Sequence, residues 1–198
     1  MINRIIKEIN NCLDNECLLA ALTMALTLPD ICGKAEYPIL KEHTRYIRWY
    51  DENIGYYEKP PSANPNEVEM PYLSGEVVYN LRCMLLHQGT PNIERNKIHS
   101  EECKIDKFSL LFEKKKPIYI YFDSAQVLLE GTSPLSSRNR VTSRSYEVNV
   151  RRLCFIITAC AEAYYKDNVD KFNFFQCNIV DLDGRNKACQ LPNMPFNH

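Results

Sequence analysis

Arg82 and His87, five positions apart in LRCMLLHQG, are the side chains whose types and spacing suggest chemistry. A histidine titrates near neutral pH and can carry a proton to or from a reacting group. An arginine is always charged, and its planar fork matches two phosphate oxygens at once. Such a pair suits a reaction in which a hydroxyl loses its proton while negative charge gathers on phosphorus. Glu76, Asn80 and Cys83 are candidate supporting residues, because they share a polar stripe with His87.

The element that must position them is a helix over Gly75–Gln88. Ser74 is suited to cap its start by accepting from an orphan N–H of the first turn, and Glu76 meets the positive end of the dipole. Gly89 can take the left-handed conformation that ends a helix, and Pro91 forbids continuation. At about 100° per residue, Glu76, Asn80, Cys83 and His87 align, while Val77, Val78, Leu81, Met84 and Leu85 form an apolar face opposite them. Glu76 lies roughly 16 Å along the axis from His87 and cannot assist it directly. Arg82 projects about 140° away from His87. Flanked by Val78 and Leu86, it must snorkel or find an acidic or phosphate partner. The two can meet if the last turn unwinds, if the arginine stem curls round, or if a second subunit completes the site.

An R-x4-6-H motif on a helix of a small, mainly helical protein resembles the HEPN superfamily. Arg82 and His87 carry the motif here, within Tyr72–Pro91. The resemblance implies a metal-independent endoribonuclease of toxin, antiphage or RNA-processing type. It would need no cofactor and would leave 2′,3′-cyclic phosphate ends. It further implies a homodimer with Arg82 and His87 as catalytic residues in an interface cleft, RNA as substrate, and a cognate antitoxin or other partner protein. Active members often carry Asn, Asp or His after the arginine, and Cys83 stands there. Two other readings stay open. One is a non-catalytic module of the same fold that binds RNA or a partner protein. The other is a purely structural motif, with Arg82 on an internal carboxylate and His87 closing its own helix end.

The chain has 198 residues, of which 45% are hydrophobic and 25% charged, so one soluble domain with a sizeable core is expected over 1–198. A net charge of −1 exerts no global pull on nucleic acid, so any RNA site must be a local patch. MINRIIKEIN is charged throughout, unlike a secretory leader, and no run approaches the apolar length of a membrane span, so a cytoplasmic protein without membrane contact is expected. Nine scattered cysteines form no C-x-x-C pair and read as small buried hydrophobes. His99 and Cys103 with Cys177 and Cys189 match no common zinc spacing, and no metal site is expected. The six glycines form neither a phosphate loop nor a dinucleotide fingerprint, and no H-E-x-x-H or Gly-x-Ser-x-Gly occurs.

The expected fold is mainly α: a bundle of about five helices with a small inserted antiparallel hairpin or short sheet at about 106–130. Apolar spacing places helices over Ile2–Leu13, Glu16–Leu28, Leu40–Tyr57 and Glu147–Lys166, besides the motif helix; whether 2–28 is one helix or two stays open. Pro29 is expected to stop the second helix, leaving PDICGKAEYP as a connector. Strands are expected over Phe108–Glu113 and Pro117–Asp123 around Lys114–Lys116, and over Gln126–Glu130. Gly131–Arg144 reads as a polar loop whose Arg138, Arg140 and Arg144 are candidate RNA contacts, joined by Arg151 and Arg152 in a basic patch. Residues from about 190 to 198 read as a loose tail.

Overall fold

A computed structural model describes residues 1–60, 70–113, 123–130 and 140–175. It contains helices α1 (Ile2–Asp14), α2 (Leu18–Ala25), α3 (Leu28–Glu36), α4 (Glu42–Tyr50), α5 (Tyr56–Glu58), α6 (Gly75–Gln88) and α7 (Val150–Asp167). Strands β1 (Lys107–Leu111), β2 (Ser124–Glu130) and β3 (Arg140–Asn149) form one small sheet. The mainly helical fold with a minor β component is thus observed.

The helices bury a shared core. Tyr46, Trp49 and Tyr50 of α4 meet Leu22 and Leu26, Val77, Val78 and Leu81 of α6, and Leu153 and Ile157 of α7. The α1 stripe Ile2, Ile6 and Ile9 closes one side. Residues 2–28 form two helices, broken where Glu16 takes φ of 60°. Leu18–Glu36 is long and apolar enough by composition to cross a membrane, a departure from the sequence expectation. However, 56% of its window is buried in the fold, and it is divided into α2 and α3. Its leucines and alanines, with Ile31 and Cys32, raise its average hydropathy, and packing assigns it to the core.

Pro29 does not leave a connector behind it. It stands in the first turn of α3, where its missing N–H costs nothing, so one residue ends α2 and begins the next helix. α4 continues past Tyr50 through a π turn over Asp51–Gly55 into α5.

The sheet also departs from expectation. Its order is β1-β3-β2, with β1 parallel to β3 and β2 antiparallel to it, and a bulge between Leu128 and Leu129. The expected loop over Gly131–Arg144 therefore ends in the central strand, and α7 begins at Val150 rather than Glu147. Tyr146 and Val148 bury the core side of β3, and the Asn149 side chain caps α7 by accepting from Arg151 and Arg152 N–H. The expected strand over Pro117–Asp123, the Lys114–Lys116 tip, Arg138, Cys177, Cys189 and the tail lie, wholly or but for Asp123, outside the described residues.

α6 packs closely on α4 because Gly75 has no side chain. A Cβ there would lie 2.6 Å from the Ile47 carbonyl oxygen and 2.9 Å from its Cα. Gly75→Ala is therefore expected to cost about 1–3 kcal/mol in a urea titration, as overpacking does; an unchanged midpoint would contradict the close packing.

The same crossing holds Asp51, whose Oδ1 accepts from Gly75 N–H at 2.6 Å. Burial pushes the Asp51 carboxyl above the usual carboxylate range, and the Gly75 bond only partly offsets this. A carboxyl raised on folding contributes stability below its unfolded pKa that is lost as pH rises through the folded one. Asp51→Asn removes that loss, so its stability relative to wild type should improve between pH 4 and pH 7, moving through about the carboxylate range. Thermal melts at both pH values check this; a difference independent of pH would contradict it.

Candidate functional site

The motif helix forms as its sequence dictates. Ser74 Oγ accepts from Val77 N–H at 3.4 Å, and Gly89 closes the other end with φ of 67°. The helix brings Arg82 and His87 together. Arg82 Nη1 lies 3.3 Å from His87 Nε2, so the long arginine stem has curled round the helix and no unwinding of the last turn is needed.

Arg82 is otherwise well held. Nη2 pairs with Glu42 Oε1 at 3.0 Å, Nη1 lies 3.9 Å from Cys83 Sγ, and the guanidinium carbon is 5.9 Å from the Tyr79 ring centre. The side chain is only 15% exposed, while Glu42 is 48% exposed. Burial opposes the arginine's charge, but Cys83, Glu42 and Tyr79 outweigh it and leave its pKa above the ordinary value. His87 is exposed. A phosphate approaching the histidine therefore meets an arginine held in place, with a movable carboxylate beside it.

The polar stripe does not serve His87 directly. Glu76 Oε2 accepts from His99 and Ser100 N–H, both at 3.2 Å. Asn80 accepts from Glu94 N–H at 2.8 Å and donates to the Glu94 carbonyl at 3.4 Å. Both residues staple the segment after α6 onto the helix. That segment contains short 3-10 turns over Arg95–Lys97 and Glu101–Cys103, and buries Ile93, Ile98 and Ile105. Between it, α6 and the start of α4 runs a groove of about 350 Å³. Cys83 and Tyr79 line it, together with His43. The Tyr79 hydroxyl, pushed up to about 12 by burial and by its bond to Cys83, keeps its proton at neutral pH.

No family model, curated protein or solved structure matches the chain.

The expected basic patch does not form as drawn. Arg144 on β3 donates from Nη1 to the Glu101 carbonyl at 3.4 Å, and its backbone N–H to Asp106 Oδ2 at 2.7 Å. Arg151 is buried, with Nε on the Glu113 carbonyl at 2.7 Å and Nη1 on the Leu13 carbonyl at 2.9 Å. Arg152 is clamped between Glu58 at 2.6 Å and Asp123 at 2.7 Å. These arginines hold the fold together because carbonyls and carboxylates from distant segments converge on them. Arg140 belongs to β3, and Arg138 lies outside the described residues.

Among the described residues, no group of three or more His, Cys, Asp or Glu converges as a metal centre would need. Of the described cysteines, Cys32, Cys103 and Cys154 are buried as expected, and burial holds the Cys154 thiol at about 12, whereas Cys12, Cys83 and Cys160 are half-buried and Cys17 is exposed. Sequence reasoning missed Glu42 and His43. Their one local signal is a place in the first turn of α4, and only packing brings them to α6.

Proposed function

We propose that this chain is a HEPN-like, metal-independent endoribonuclease whose catalytic residues are Arg82 and His87. The observation that carries the reading is the 3.3 Å approach of Arg82 Nη1 to His87 Nε2, with the histidine exposed. In the reaction, His87 takes the proton of a ribose 2′-OH as that oxygen attacks the adjacent phosphorus. The bond from phosphorus to the 5′-oxygen breaks, leaving a 2′,3′-cyclic phosphate, and the departing 5′-oxygen takes a proton from solvent water to become a hydroxyl. Arg82 neutralises charge gathering on the phosphoryl oxygens. Glu42 occupies one side of the arginine fork and must yield it to phosphate, which its partly exposed position allows.

The reading includes a homodimer in the cytoplasm, acting on RNA in a toxin, antiphage or related system and held in check by an antitoxin or other partner protein. A labelled mixed-sequence RNA, incubated with and without EDTA, tests it. EDTA-resistant cutting by a species of dimeric mass in light scattering is expected. A protein that is monomeric and cuts nothing would overturn it.

The Arg82–Glu42 pair favours a second reading. A carboxylate already neutralising the arginine suits a module that binds RNA or a partner protein without cleaving, or a motif kept for structure alone. Filter binding of the same RNA without product formation would select the binding module.

A further inference from the structure

The groove beside Arg82 has a composition that the cleavage reaction itself does not explain. Its volume of about 350 Å³ falls in the range of sites that hold a single small molecule, about 300–1,000 Å³. One wall is the α6 face carrying Tyr79 and Cys83, a second is His43 at the start of α4, and the third carries Asn96, Lys97 and His99. The Tyr79 and His43 rings meet edge to face, with centres 4.7 Å apart, and both line the groove. Tyr79 is braced from behind by Tyr46, at 5.1 Å between ring centres. The carboxylate of Glu76 is occupied by two backbone N–H groups, and Lys97 lies 2.8 Å from Glu94. The remaining lining groups are two imidazoles, a phenol, a thiol and the carboxamides of Asn80 and Asn96, which between them donate and accept hydrogen bonds.

The groove borders the arginine, which packs against two of its lining residues. Arg82 Nη1 is 3.9 Å from Cys83 Sγ, and its guanidinium carbon is 5.9 Å from the Tyr79 ring centre. A phosphate on the outer side of Arg82 would therefore have its attached nucleoside within reach of Tyr79 and His43. Aromatic faces with mixed donors and acceptors around them recognise unstacked bases. A base inside an A-form duplex cannot enter such a groove, because both its faces are already stacked.

We propose that this groove is a nucleotide pocket, which takes one unpaired base through Tyr79 and His43 while Arg82 holds the attached phosphate. The proposal rests on reading Arg82 as a phosphate site, and its test is separable from cleavage. The ligand is a nucleoside monophosphate unit, either free or as part of a single strand.

Calorimetric titration distinguishes these sources. The probes are adenosine 3′-monophosphate, uridine 3′-monophosphate, ribose 5-phosphate, a single-stranded tetranucleotide, and a blunt RNA duplex. A nucleotide is expected to bind at least about tenfold more tightly than ribose 5-phosphate, the contribution of one stacked base. His43→Ala should shrink that preference and leave ribose 5-phosphate affinity unchanged, and Tyr79→Leu should shrink it too. The tetranucleotide should bind at least as tightly as the mononucleotide if the natural ligand is a strand. If it binds more weakly, the pocket serves free nucleotides. The duplex should not compete.

Tyr79→Leu removes a ring packed on Tyr46 and risks the fold, whereas His43 is exposed and its replacement keeps the test decisive. Equal affinity for nucleotides and ribose 5-phosphate, or an unchanged preference in His43→Ala, would overturn the pocket. Nucleotide binding by a wild type that cuts no RNA would support the pocket while refuting the nuclease reading. Where the tetranucleotide binds at least as tightly as the mononucleotide, RNA cutting with unaltered efficiency in both His43→Ala and Tyr79→Leu would overturn the pocket alone.

Discussion

His87→Ala is expected to lower the rate of the proposed RNA cleavage by about 10²–10⁴-fold, the usual contribution of one general acid or base. The effect should fall on turnover more than on RNA affinity, because in the proposed reaction the histidine takes the reacting proton while Arg82 holds the phosphate. The variant should fold as the wild type does, since His87 is exposed at the end of α6. Arg82→Lys keeps the charge but loses the fork, so it should retain some activity while Arg82→Ala loses about 10²–10³-fold. Single-turnover kinetics on a labelled RNA check both. Undiminished cutting by His87→Ala would mean that the activity lies elsewhere.

Arg152→Met destabilises the fold by about 3–5 kcal/mol, the usual result of removing one partner from a buried ionic group. Arg152 satisfies Glu58 at the end of α5 and Asp123 at the entry to β2, side chains only 10% and 8% exposed. Asp123 also accepts from Tyr146 Oη at 3.1 Å and from Asn149 N–H at 2.9 Å. Burial already pushes the Asp123 carboxyl up, against the pull of the Asn149 bond and of Arg152. Without the arginine that carboxyl rises further. A raised carboxyl loses stability as pH climbs through its folded pKa, so the variant's deficit should be larger at pH 7 than at about pH 4. Urea unfolding at the two pH values measures it. A deficit below about 1 kcal/mol, typical of an exposed pair, would show that the network carries little.

How much of this was legible in the chain differs from element to element. The motif helix was readable at both ends because its signals are local: Ser74 at the N-cap and Gly89 in the left-handed region. α3 was not, because a proline signals both the end of one helix and the first turn of the next, and nothing nearby chooses. β3 was hidden for a different reason. Tyr146, Glu147 and Val148 alternate as a strand does, but the six residues before them, RVTSRS, hold a single apolar residue, so most of the strand resembles a loop until β1 and β2 flank it.

The site divides along the same line. The residue types and the spacing of Arg82 and His87 are visible in sequence, but an ideal projection separates them, since it records where Cα atoms lie and not how far an arginine reaches. Their 3.3 Å approach needs the side-chain path. Glu42 and His43 join the site only through α4 packing on α6, a long-range contact with no local signature. The arginines near β3 carried the opposite lesson. Their clustering in sequence suggested a basic patch, yet Arg151 and Arg152 are consumed by carbonyls and carboxylates from segments far away in the chain.

The most direct test of the central claim is the fate of an RNA carrying a single 2′-deoxy sugar at a position that the wild type cuts. If His87 deprotonates the 2′-OH, cutting stops at that position alone and continues elsewhere, and every product ends in a 2′,3′-cyclic phosphate. Cutting that persists at the deoxy position, or products ending in a 3′-hydroxyl, would contradict Arg82 and His87 as the catalytic pair.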